Sequence, residues 1–459
     1  MAQDMPTSLV AGVAPGRIAA MASDAAMAYA ARRPRTNAAL TAGAAAWLDG
    51  VPLHWMKDWP QPFPMLVARA EGSMLEDIDG NTLDDFCLGD TGSMFGHSPA
   101  PVARAIAAQA GQGLTYMLPT PAALEAGRLL NERFGDFRWQ VATTATDANR
   151  FALRVARAVT GRPKVLVFNG CYHGTVDEAM VTLQDGRTVA RPGLLGQVAD
   201  LDLTATCCEF NDLAAVEAAL KTGEIAAILT EPVMTNSCMV LPDPGFHDGL
   251  RALATRYGAL LMIDETHTIS SGLGGYSAVH GLNPDIFVVG KCVAGGLPTA
   301  VWGLRPAVAA RLAEVNARRP AGHSGMGTTL SANPLQFACL VATLSEVMTP
   351  ENYAHMEAGA ARLEAGLAAA IARHGAPWHV VRVGARVEFI CAPGPLKNGA
   401  EAAHAHQPAL EAAIHADLLN QGCLIAPFHN MMLVSPVTSE AQIDRLIAAF
   451  DATLTRLFA

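Results

Sequence analysis

The chain has 459 residues, of which 51% are hydrophobic, and its formal net charge is −10 at pH 7. A chain of this length can bury a large core and form two or three domains. It contains no basic block that would indicate nucleic-acid binding and no apolar run long enough for a membrane span. Its nine cysteines include no Cys-x-x-Cys pair, and we predict a reduced, cytoplasmic setting and no metal site.

The N-terminal part predicts a helical arm followed by a small sheet. Residues 1–35 are rich in Ala and Met, but charged residues interrupt any signal-peptide pattern, so we interpret this stretch as a helical arm. Asp79-Gly80 is a strong signal for a hairpin turn. It lies between the last two of three predicted short strands, which span residues 66–70, 73–78 and 82–87.

Helical stretches alternate with short apolar runs between about residues 120 and 330. This alternation predicts an α/β fold with a mostly parallel central sheet flanked by helices. The clearest runs lie at residues 165–168, 226–229, 259–263 and 286–289. Long helices and a strand near residues 380–391 are predicted beyond residue 345. We therefore predict an N-terminal arm with part of a small domain at 1–95, a large domain at 96–345, and the C-terminal part of the small α/β domain at 346–459.

Two of these apolar runs end close to a side chain that can take part in catalysis, one a carboxylate and the other a primary amine. Asp264 follows the third run and Lys291 follows the fourth. Because ligands bind beyond the carboxyl ends of parallel strands, we expect both side chains at one edge of the sheet, with Glu231 and the loop 170–174 beside them. Each feature alone could be an ordinary solvated loop residue or a helix cap. Together they predict a binding site.

Six motifs carry a resemblance to a known family. The chain resembles the class III (ω-type) aminotransferases of pyridoxal phosphate (PLP) fold type I, and it is most similar to the branch that contains glutamate-1-semialdehyde aminomutase. The resemblance runs from about residue 60 to the C-terminus. The motifs are Thr143-Thr-Ala-Thr-Asp-Ala148, Gly170-Cys-Tyr-His-Gly174, Thr230-Glu-Pro-Val233, Asp264-Glu-Thr-His-Thr268, Gly290-Lys-Cys-Val-Ala-Gly-Gly-Leu-Pro298 and Gly327-Thr-Thr-Leu-Ser-Ala-Asn-Pro334.

The resemblance implies PLP as the cofactor and assigns its main partners. Lys291 would carry PLP as a Schiff base, and Asp264 would keep the pyridine nitrogen protonated. Ala145 and Thr146, at a predicted helix start, would bind the phosphate, although the family usually has glycine in place of Ala145. Tyr172 would stack on the flat ring; without the neighbouring motifs it would be interpreted as a packing residue.

Four further residues take roles by the same resemblance. His173 would lie beside the stacked ring, and Glu231 would lie near the ring edge, although a solvated strand-end acid is an equally good interpretation. Thr266 would pack on the opposite ring face, where the family often has valine. Thr329, by position in its motif, would bind the phosphate of a neighbouring subunit's PLP. That role implies a homodimer with shared active sites.

The resemblance also implies transfer of an amino group from a small-molecule donor to a carbonyl acceptor. Relatives that act on amino acids often carry a carboxylate-binding arginine near the N-terminus. Here His54 and Trp55 stand at that place, and the late loop 426–430 contains no arginine. Because an unpartnered buried carboxylate is costly, we predict an apolar, aromatic-lined pocket suited to amines or ketones.

Three alternatives stay open. The first is an aminomutase that acts on an amino-aldehyde acid, of the glutamate-1-semialdehyde type. The second is an amino-acid transaminase in which another arginine, such as Arg386, binds the carboxylate while Trp55 packs in a dimer interface. The third is a non-catalytic protein on an aminotransferase scaffold, which the presence of Lys291 and Asp264 disfavours.

Overall fold

The computed structural model describes residues 9–427 and 429–459, which form 14 α-helices and 16 β-strands. No helix within these two ranges is long and apolar enough to cross a membrane. The strands are β1 (Val67–Glu71), β2 (Met74–Asp77), β3 (Thr82–Asp85), β4 (Arg138–Ala142), β5 (Lys164–Phe168), β6 (Val181–Gln184), β7 (Arg187–Ala190), β8 (Ala205–Cys208), β9 (Ile225–Thr230), β10 (Leu260–Asp264), β11 (Ile286–Val289), β12 (Ala300–Leu304), β13 (His379–Val383), β14 (Arg386–Ile390), β15 (Cys423–Leu424) and β16 (Met431–Leu433).

Helices flank the sheets, and the C-terminal part of the chain is mostly helical. They are α1 (Pro15–Ala31), α2 (Pro34–Gly43), α3 (Ala100–Ala110), α4 (Pro121–Phe134), α5 (Ala145–Thr160), α6 (Leu213–Leu220), α7 (Phe246–Tyr257), α8 (Gly275–His280), α9 (Pro306–Arg318), α10 (Pro334–Ala342), α11 (Pro350–His374), α12 (Gly399–Ala405), α13 (Pro408–Asn420) and α14 (Glu440–Phe458). The predicted N-terminal arm is helical from Pro15, where α1 packs against α13; the first eight residues of that prediction lie outside the described residues.

The central sheet has seven strands in the order β4-β12-β11-β10-β9-β5-β8. β12 runs antiparallel to both of its neighbours, and the pairings among β11, β10, β9, β5 and β8 are parallel. Strands β9, β10 and β11 are buried along their whole length, which explains why their sequences are continuous apolar runs. The predicted α/β fold with a mostly parallel central sheet is confirmed.

Besides the hairpin formed by β6 and β7, two smaller sheets lie outside the central one. The first has the order β1-β2-β3-β15 and joins strands from opposite ends of the chain; the second has the order β13-β14-β16. The strand predicted near residues 380–391 is a hairpin, β13 and β14, that turns at Gly384. Strand pairing across the two ends agrees with a small domain built from both termini, while the boundaries at residues 95 and 345 stay predictions.

The β13–β14 turn packs tightly against the segment that follows β10. Gly384 has a φ of 57°, and a side chain there would collide with the backbone of Ser270 and Ser271. The backbone N–H of Ala385 donates to Ser270 O at 3.0 Å. This contact places the start of β14 beside the carboxyl end of the central sheet.

Replacing Gly384 with alanine should therefore destabilise the protein more than a glycine substitution in open space does. We expect a loss of about 3 kcal/mol or more for Gly384→Ala, because a left-handed backbone and a steric collision add together. Gly422 has a φ of 91° and open space where a side chain would point, so Gly422→Ala is the matched control. We expect the control to lose about 1 kcal/mol, measured from urea unfolding midpoints. Equal losses would contradict the packing argument.

Candidate active site

Lys291 lies in a cavity of about 280 Å³ at the carboxyl edge of the central sheet. It follows β11 with a left-handed φ of 51°, an uncommon backbone state for a long side chain. The sheet brings the ends of β4, β5, β10 and β11 together; the sequence predicted this arrangement for β5, β10 and β11, but not strand β4. The predicted residues that line this cavity are Ala145, Thr146, Tyr172, His173, Asp264, Thr266 and Lys291.

Asp264 is a buried carboxylate with three donors around it. Asn149 Nδ2 donates to Asp264 Oδ2 at 2.8 Å, and the backbone N–H of Thr266 donates to Oδ1 at 3.0 Å. His173 Nδ1 lies 3.0 Å from Oδ2. Burial raises the pKa of Asp264, but the hydrogen bonds from His173, Thr266 and Asn149 outweigh it and lower this pKa to about 2. Asp264 therefore stays charged at neutral pH.

The N-terminus of α5 forms another part of the cavity wall. Thr144 caps this helix by accepting from the backbone N–H of Asp147 at 3.2 Å. Small residues line the approach: a side chain on Gly290 would meet Ala145 Cβ at 3.0 Å, and one on Gly174 would collide with Thr146. The first N–H groups of a helix and its dipole attract anions, so this narrow cradle suits a phosphate group.

The cavity fits PLP by the chemistry of its donors. The helix start offers amides to the phosphate, Asp264 offers a carboxylate to the pyridine nitrogen, and Lys291 offers a primary amine to the carbonyl carbon. Tyr172 is 39% exposed and supplies an aromatic ring at the mouth. The hydroxyl of Thr266 is buried without a hydrogen-bond partner among the described residues, so it is free to contact a bound group.

A charged cluster that the sequence analysis did not assemble surrounds Lys291. Lys291 Nζ donates to Asp90 Oδ2 at 2.9 Å and lies 2.8 Å from His267 Nε2. Behind it, the fully buried Arg386 places Nη2 3.0 Å from His267 Nδ1 and donates to the hydroxyl of Thr91. Arg386 Nη1 lies 3.9 Å from Asp90 Oδ1. The cluster therefore contains two basic side chains, Lys291 and Arg386, together with one carboxylate and one imidazole.

The electrostatics of this cluster give each group a defined charge. Burial raises the pKa of Asp90, but Lys291 and His267 outweigh it and hold this pKa well below its ordinary value. Burial and the nearby Lys291 lower the pKa of His267 well below its ordinary value, although Asp90 acts in the opposite direction. Asp90 is therefore a carboxylate and His267 a neutral imidazole at neutral pH.

Asp90 is presented by a strained turn. Leu88, Gly89, Asp90 and Thr91 have φ values of 46°, 58°, 48° and 80°. Asp85 stabilises the turn, because its Oδ1 accepts from the backbone N–H groups of Cys87 and Leu88 at 2.8 and 2.9 Å. A backbone conformation that is costly but held in place by the surrounding structure is typical of functional segments. The signal in the sequence was an aspartate within a glycine-rich stretch after β3, but its partner Lys291 lies 201 residues further along the chain.

Two predicted cofactor residues lie elsewhere in the single chain. Glu231 is buried behind the Tyr172 loop, where it accepts from the hydroxyl of Thr235 and, at 3.4 Å, from the backbone N–H of Tyr172. Burial raises the pKa of Glu231. Glu231 does not line the Lys291 cavity, and its predicted place near the ring edge stays a prediction. Thr329 is exposed and lies outside the lining of its own chain's cavity.

The two predicted substrate residues also lie apart from Lys291. Trp55 is 38% exposed and lines a second, mostly apolar cavity of about 550 Å³, together with Trp47 and Trp59; His54 is exposed. This cavity also contacts β1 and β2, because the N-terminal segment packs over that small sheet. The structure does not bring His54 or Trp55 to Lys291, and their role toward substrate stays a prediction.

The fold and the cavity together define a PLP-dependent enzyme of fold type I. A sequence profile of the family Aminotransferase class-III matches residues 55–454, and the chain belongs to this family. It is 36% identical over 392 residues to a glutamate-1-semialdehyde 2,1-aminomutase of Roseiflexus castenholzii, covering 84% of this chain and 89% of that protein.

Solved structures agree with this assignment. A glutamate-1-semialdehyde aminomutase from Pseudomonas aeruginosa PAO1 superposes with a TM-score of 0.95 at 47% identity, over 97% of this chain and 100% of that one. A variant of that enzyme was solved in complex with PMP, the amino form of the cofactor. A β-phenylalanine aminotransferase from Variovorax paradoxus superposes with a TM-score of 0.84 at 28% identity, over 95% and 97% of the chains. The predicted family and the PLP cofactor are confirmed.

The pair formed by His173 and Asp264 should make stability depend on pH. Burial lowers the pKa of His173, but the neighbouring Cys171 and the hydrogen bond to Asp264 at 3.0 Å outweigh it and raise this pKa from 6.5 to about 10. Such a group contributes stability that is fully present below its unfolded-state pKa and is lost as the pH rises through its folded-state pKa. In the cofactor-free protein, His173→Gln should cost about 1–3 kcal/mol below pH 6.5, and less as the pH rises toward 10.

Urea midpoints measured across this pH range check the expectation. The exposed His404 gives the matched control, because His404→Gln removes a histidine without a carboxylate partner among its described hydrogen bonds. A cost of His173→Gln that stayed constant with pH would contradict the charged pair.

Proposed function

We propose that this enzyme moves an amino group within a substrate that carries a carboxylate, in the manner of a glutamate-1-semialdehyde 2,1-aminomutase. Arg386 carries the proposal, because a fully buried guanidinium lies one imidazole ring behind Lys291. The names of the relatives from Roseiflexus castenholzii and Pseudomonas aeruginosa support the same reaction. The buried Arg386 and the names of these relatives both favour the aminomutase alternative over the amine transaminase with an apolar pocket.

The guanidinium of Arg386 has spare capacity for an anion. Its Nε and Nη1 atoms are buried and have no hydrogen-bond partner among the described residues, and Asp90 at 3.9 Å is beyond hydrogen-bond distance. Burial raises the pKa of Glu388 to about 8, although Arg386 lowers it, so this neighbour is mostly neutral at neutral pH. A buried cation with free donors favours an anionic partner, and a carboxylate matches the guanidinium fork. Arg386 lies behind His267 and does not itself line the cavity, so we propose that it takes the place of the relatives' N-terminal arginine from this position.

The other site residues divide the work around the cofactor. PLP, when bound, draws electrons from the carbon that bears the amino group, which makes its proton removable. Lys291 would hold the cofactor and, once its amine is free, move that proton. Asp264 would keep the ring nitrogen protonated, and Tyr172 would cover one ring face. Glu231 would act on the cofactor only through the Tyr172 loop that it supports.

The proposed reaction exchanges two groups on neighbouring carbons. The amino group on carbon 2 of glutamate-1-semialdehyde is replaced by the carbonyl oxygen, and carbon 1 receives an amino group in place of its oxygen. No atom is gained or lost overall, so no second substrate is consumed. An amino-acid transaminase would use Arg386 in the same way. Analysis of the products distinguishes that reaction from the aminomutase reaction.

Thr329 supports a shared active site. It is exposed on the single chain and does not line that chain's own cavity, whereas the resemblance gives its position a phosphate-binding role. We propose a homodimer in which Thr329 reaches the cofactor of the other subunit. All nine cysteines are free thiols, which supports the proposed cytoplasmic location.

Conversion of glutamate-1-semialdehyde to its 5-amino-4-oxo isomer by the PLP-loaded enzyme is the direct test. Arg386→Lys should raise KM for this substrate by about ten- to hundredfold, because lysine keeps the charge but loses the fork geometry. The rate with 1-phenylethylamine, which has no carboxylate, should change little.

Arg382→Lys on β13 is the matched control, since Arg382 pairs with Glu364 on the adjacent helix α11. It should leave both reactions unchanged. Absence of product with the wild-type enzyme, together with fast turnover of 1-phenylethylamine, would overturn the proposal and restore the apolar-pocket interpretation.

Mixing two inactive variants tests the shared site. Lys291→Ala removes the reacting amine, and Thr329→Val should weaken cofactor binding by about tenfold or more through loss of a phosphate hydrogen bond. In a mixed dimer, one site would combine an intact Lys291 with an intact Thr329. We expect activity at limiting PLP to reappear after the two variants are unfolded and refolded together. No recovery, despite formation of mixed dimers, would show that Thr329 serves its own chain.

A further inference from the structure

We propose that a cavity between strands β4 and β12 and helix α9 binds a small aromatic carboxylate, and that this ligand strengthens the binding of PLP. The site itself is independent of the aminomutase reaction. Its effect on PLP rests on the phosphate-binding role proposed for Thr329.

The cavity has a volume of about 390 Å³ and lies at the β4 edge of the central sheet. Its floor is one face of the antiparallel pair β4 and β12, where Gln140 lies opposite Trp302 and Arg138 lies opposite Leu304. It shares no lining residue with the Lys291 cavity. A volume of this size is typical of small-molecule sites, so the molecule offers a second place for a ligand.

Trp302 provides the clearest sign of what the cavity binds. The residue is 3% exposed, and its indole Nε1–H has no hydrogen-bond partner among the described residues. An indole nitrogen can only donate, and a buried donor without an acceptor costs about 1–3 kcal/mol. A ligand that brings an acceptor atom to this nitrogen would remove that cost.

The other polar side chains of the cavity also present donors. Asn316 Oδ1 already accepts from Arg319 Nε at 3.0 Å, and Ser324 Oγ accepts from a backbone N–H at 3.3 Å. These two side chains therefore keep an amide N–H and a hydroxyl hydrogen to donate. Arg138 adds a guanidinium, which also contacts Asp136. None of the described residues that line the cavity carries a carboxylate, so the donors favour an anionic ligand.

The rest of the lining is mostly apolar. Ala309, Leu312 and Ala313 lie on one face of α9, and Phe151 and Met326 also line the cavity. An aromatic ring would be buried against these side chains, while a carboxylate on the ring would accept from the donors. A water molecule could accept from the indole N–H but would gain nothing from the apolar walls. Benzoate is the simplest molecule that matches both parts of the lining.

The rim of the cavity continues into the segment proposed to contact the other subunit's cofactor. Residues 326–327 line the cavity, and Thr328 and Thr329 follow directly. The hydroxyl of Thr328 lies 2.6 Å from Ser331 Oγ, which lies 3.1 Å from the hydroxyl of Thr143 in the Lys291 cavity. A ligand that contacts 326–327 would therefore restrain Thr329 as well. By linkage, the ligand and PLP then strengthen each other's binding.

Benzoate and benzamide are a matched pair of probes, because they have the same shape and differ in charge. Calorimetric titration of the PLP-loaded enzyme gives the Kd of each. We expect benzoate to bind about tenfold or more tightly than benzamide, because a carboxylate makes the stronger hydrogen bonds. Trp302→Phe, which keeps a ring but removes the N–H, should weaken benzoate by about tenfold or more. The visible absorption band of the cofactor should not move.

Trp139→Phe is the matched control for the indole. Trp139 lies on β4, and its Nε1 donates to Asn131 Oδ1 at 2.8 Å, so its N–H is already satisfied. This variant should change the Kd of benzoate by less than about threefold. Asn316→Asp tests the charge preference at an exposed helix position, where folding does not depend on the side chain. It should weaken benzoate and leave benzamide unchanged, since it adds a negative charge to the wall.

Equilibrium dialysis of the holoenzyme against a series of PLP concentrations measures the effect on the cofactor. Saturating benzoate should lower the PLP concentration at half occupancy by about fivefold or more. We expect no such effect in Trp302→Phe. In Thr329→Val, benzoate should still bind, but it should no longer change the occupancy by PLP.

The possible failures are distinguishable. Benzoate that binds equally well to the Trp302→Phe variant, or that shifts the cofactor band, would occupy the Lys291 cavity and overturn the site. Binding that depends on Trp302 but leaves the occupancy by PLP unchanged would overturn the effect on the cofactor. An effect that persists in Thr329→Val would overturn the role proposed for Thr329 and keep the site.

Discussion

The burial of opposite charges around Lys291 is the constraint on which the site depends. Arg386 is completely buried, and Asp90 is the carboxylate nearest to both it and the lysine. Isolated charges in a protein interior are costly, so each of these groups needs the others. Loss of Asp90 would leave the buried Arg386 without its nearest carboxylate. The strained turn at 88–91 and the tight packing of Gly384 are the structural means that hold the charges together.

Two buried acids near the cofactor cavity differ because their surroundings differ. Asp264 has hydrogen bonds from Asn149 and Thr266 and an imidazole at 3.0 Å, and its pKa is lowered to about 2. Burial raises the pKa of Glu231, and the hydrogen bond from Thr235 does not offset it. Asp264, which stays ionised, can hold a protonated pyridine nitrogen, whereas Glu231, whose pKa is raised, supports the Tyr172 loop by accepting from its backbone N–H. The environment, and not the residue type, assigns the two roles.

The small sheets contribute charged residues to the surroundings of Lys291. Arg386 begins β14, and Asp90 belongs to the turn after β3, whereas Lys291 and Asp264 belong to the central sheet. The large sheet therefore positions the residues that we propose hold the cofactor, and segments outside it position the charged side chains that we propose select the substrate. A change in substrate would need changes only in the second group, which explains how one fold serves several amino-transfer reactions.

Local sequence predicted the fold and the PLP-binding class of this protein, and only the tertiary structure brought together the charged side chains around Lys291. Apolar runs and their final residues predicted β9, β10 and β11 and placed Asp264 and Lys291 at one edge, because strand periodicity and strand ends are local properties. Trp55, the predicted substrate contact, lies apart from Lys291, and no local pattern pointed to Asp90, which lies 201 residues from Lys291 along the chain. The sequence analysis named Arg386 only as an alternative, since its distance from His267 depends on how the β13–β14 hairpin packs. The partner of a buried charge is set by packing between distant segments, which no local pattern records.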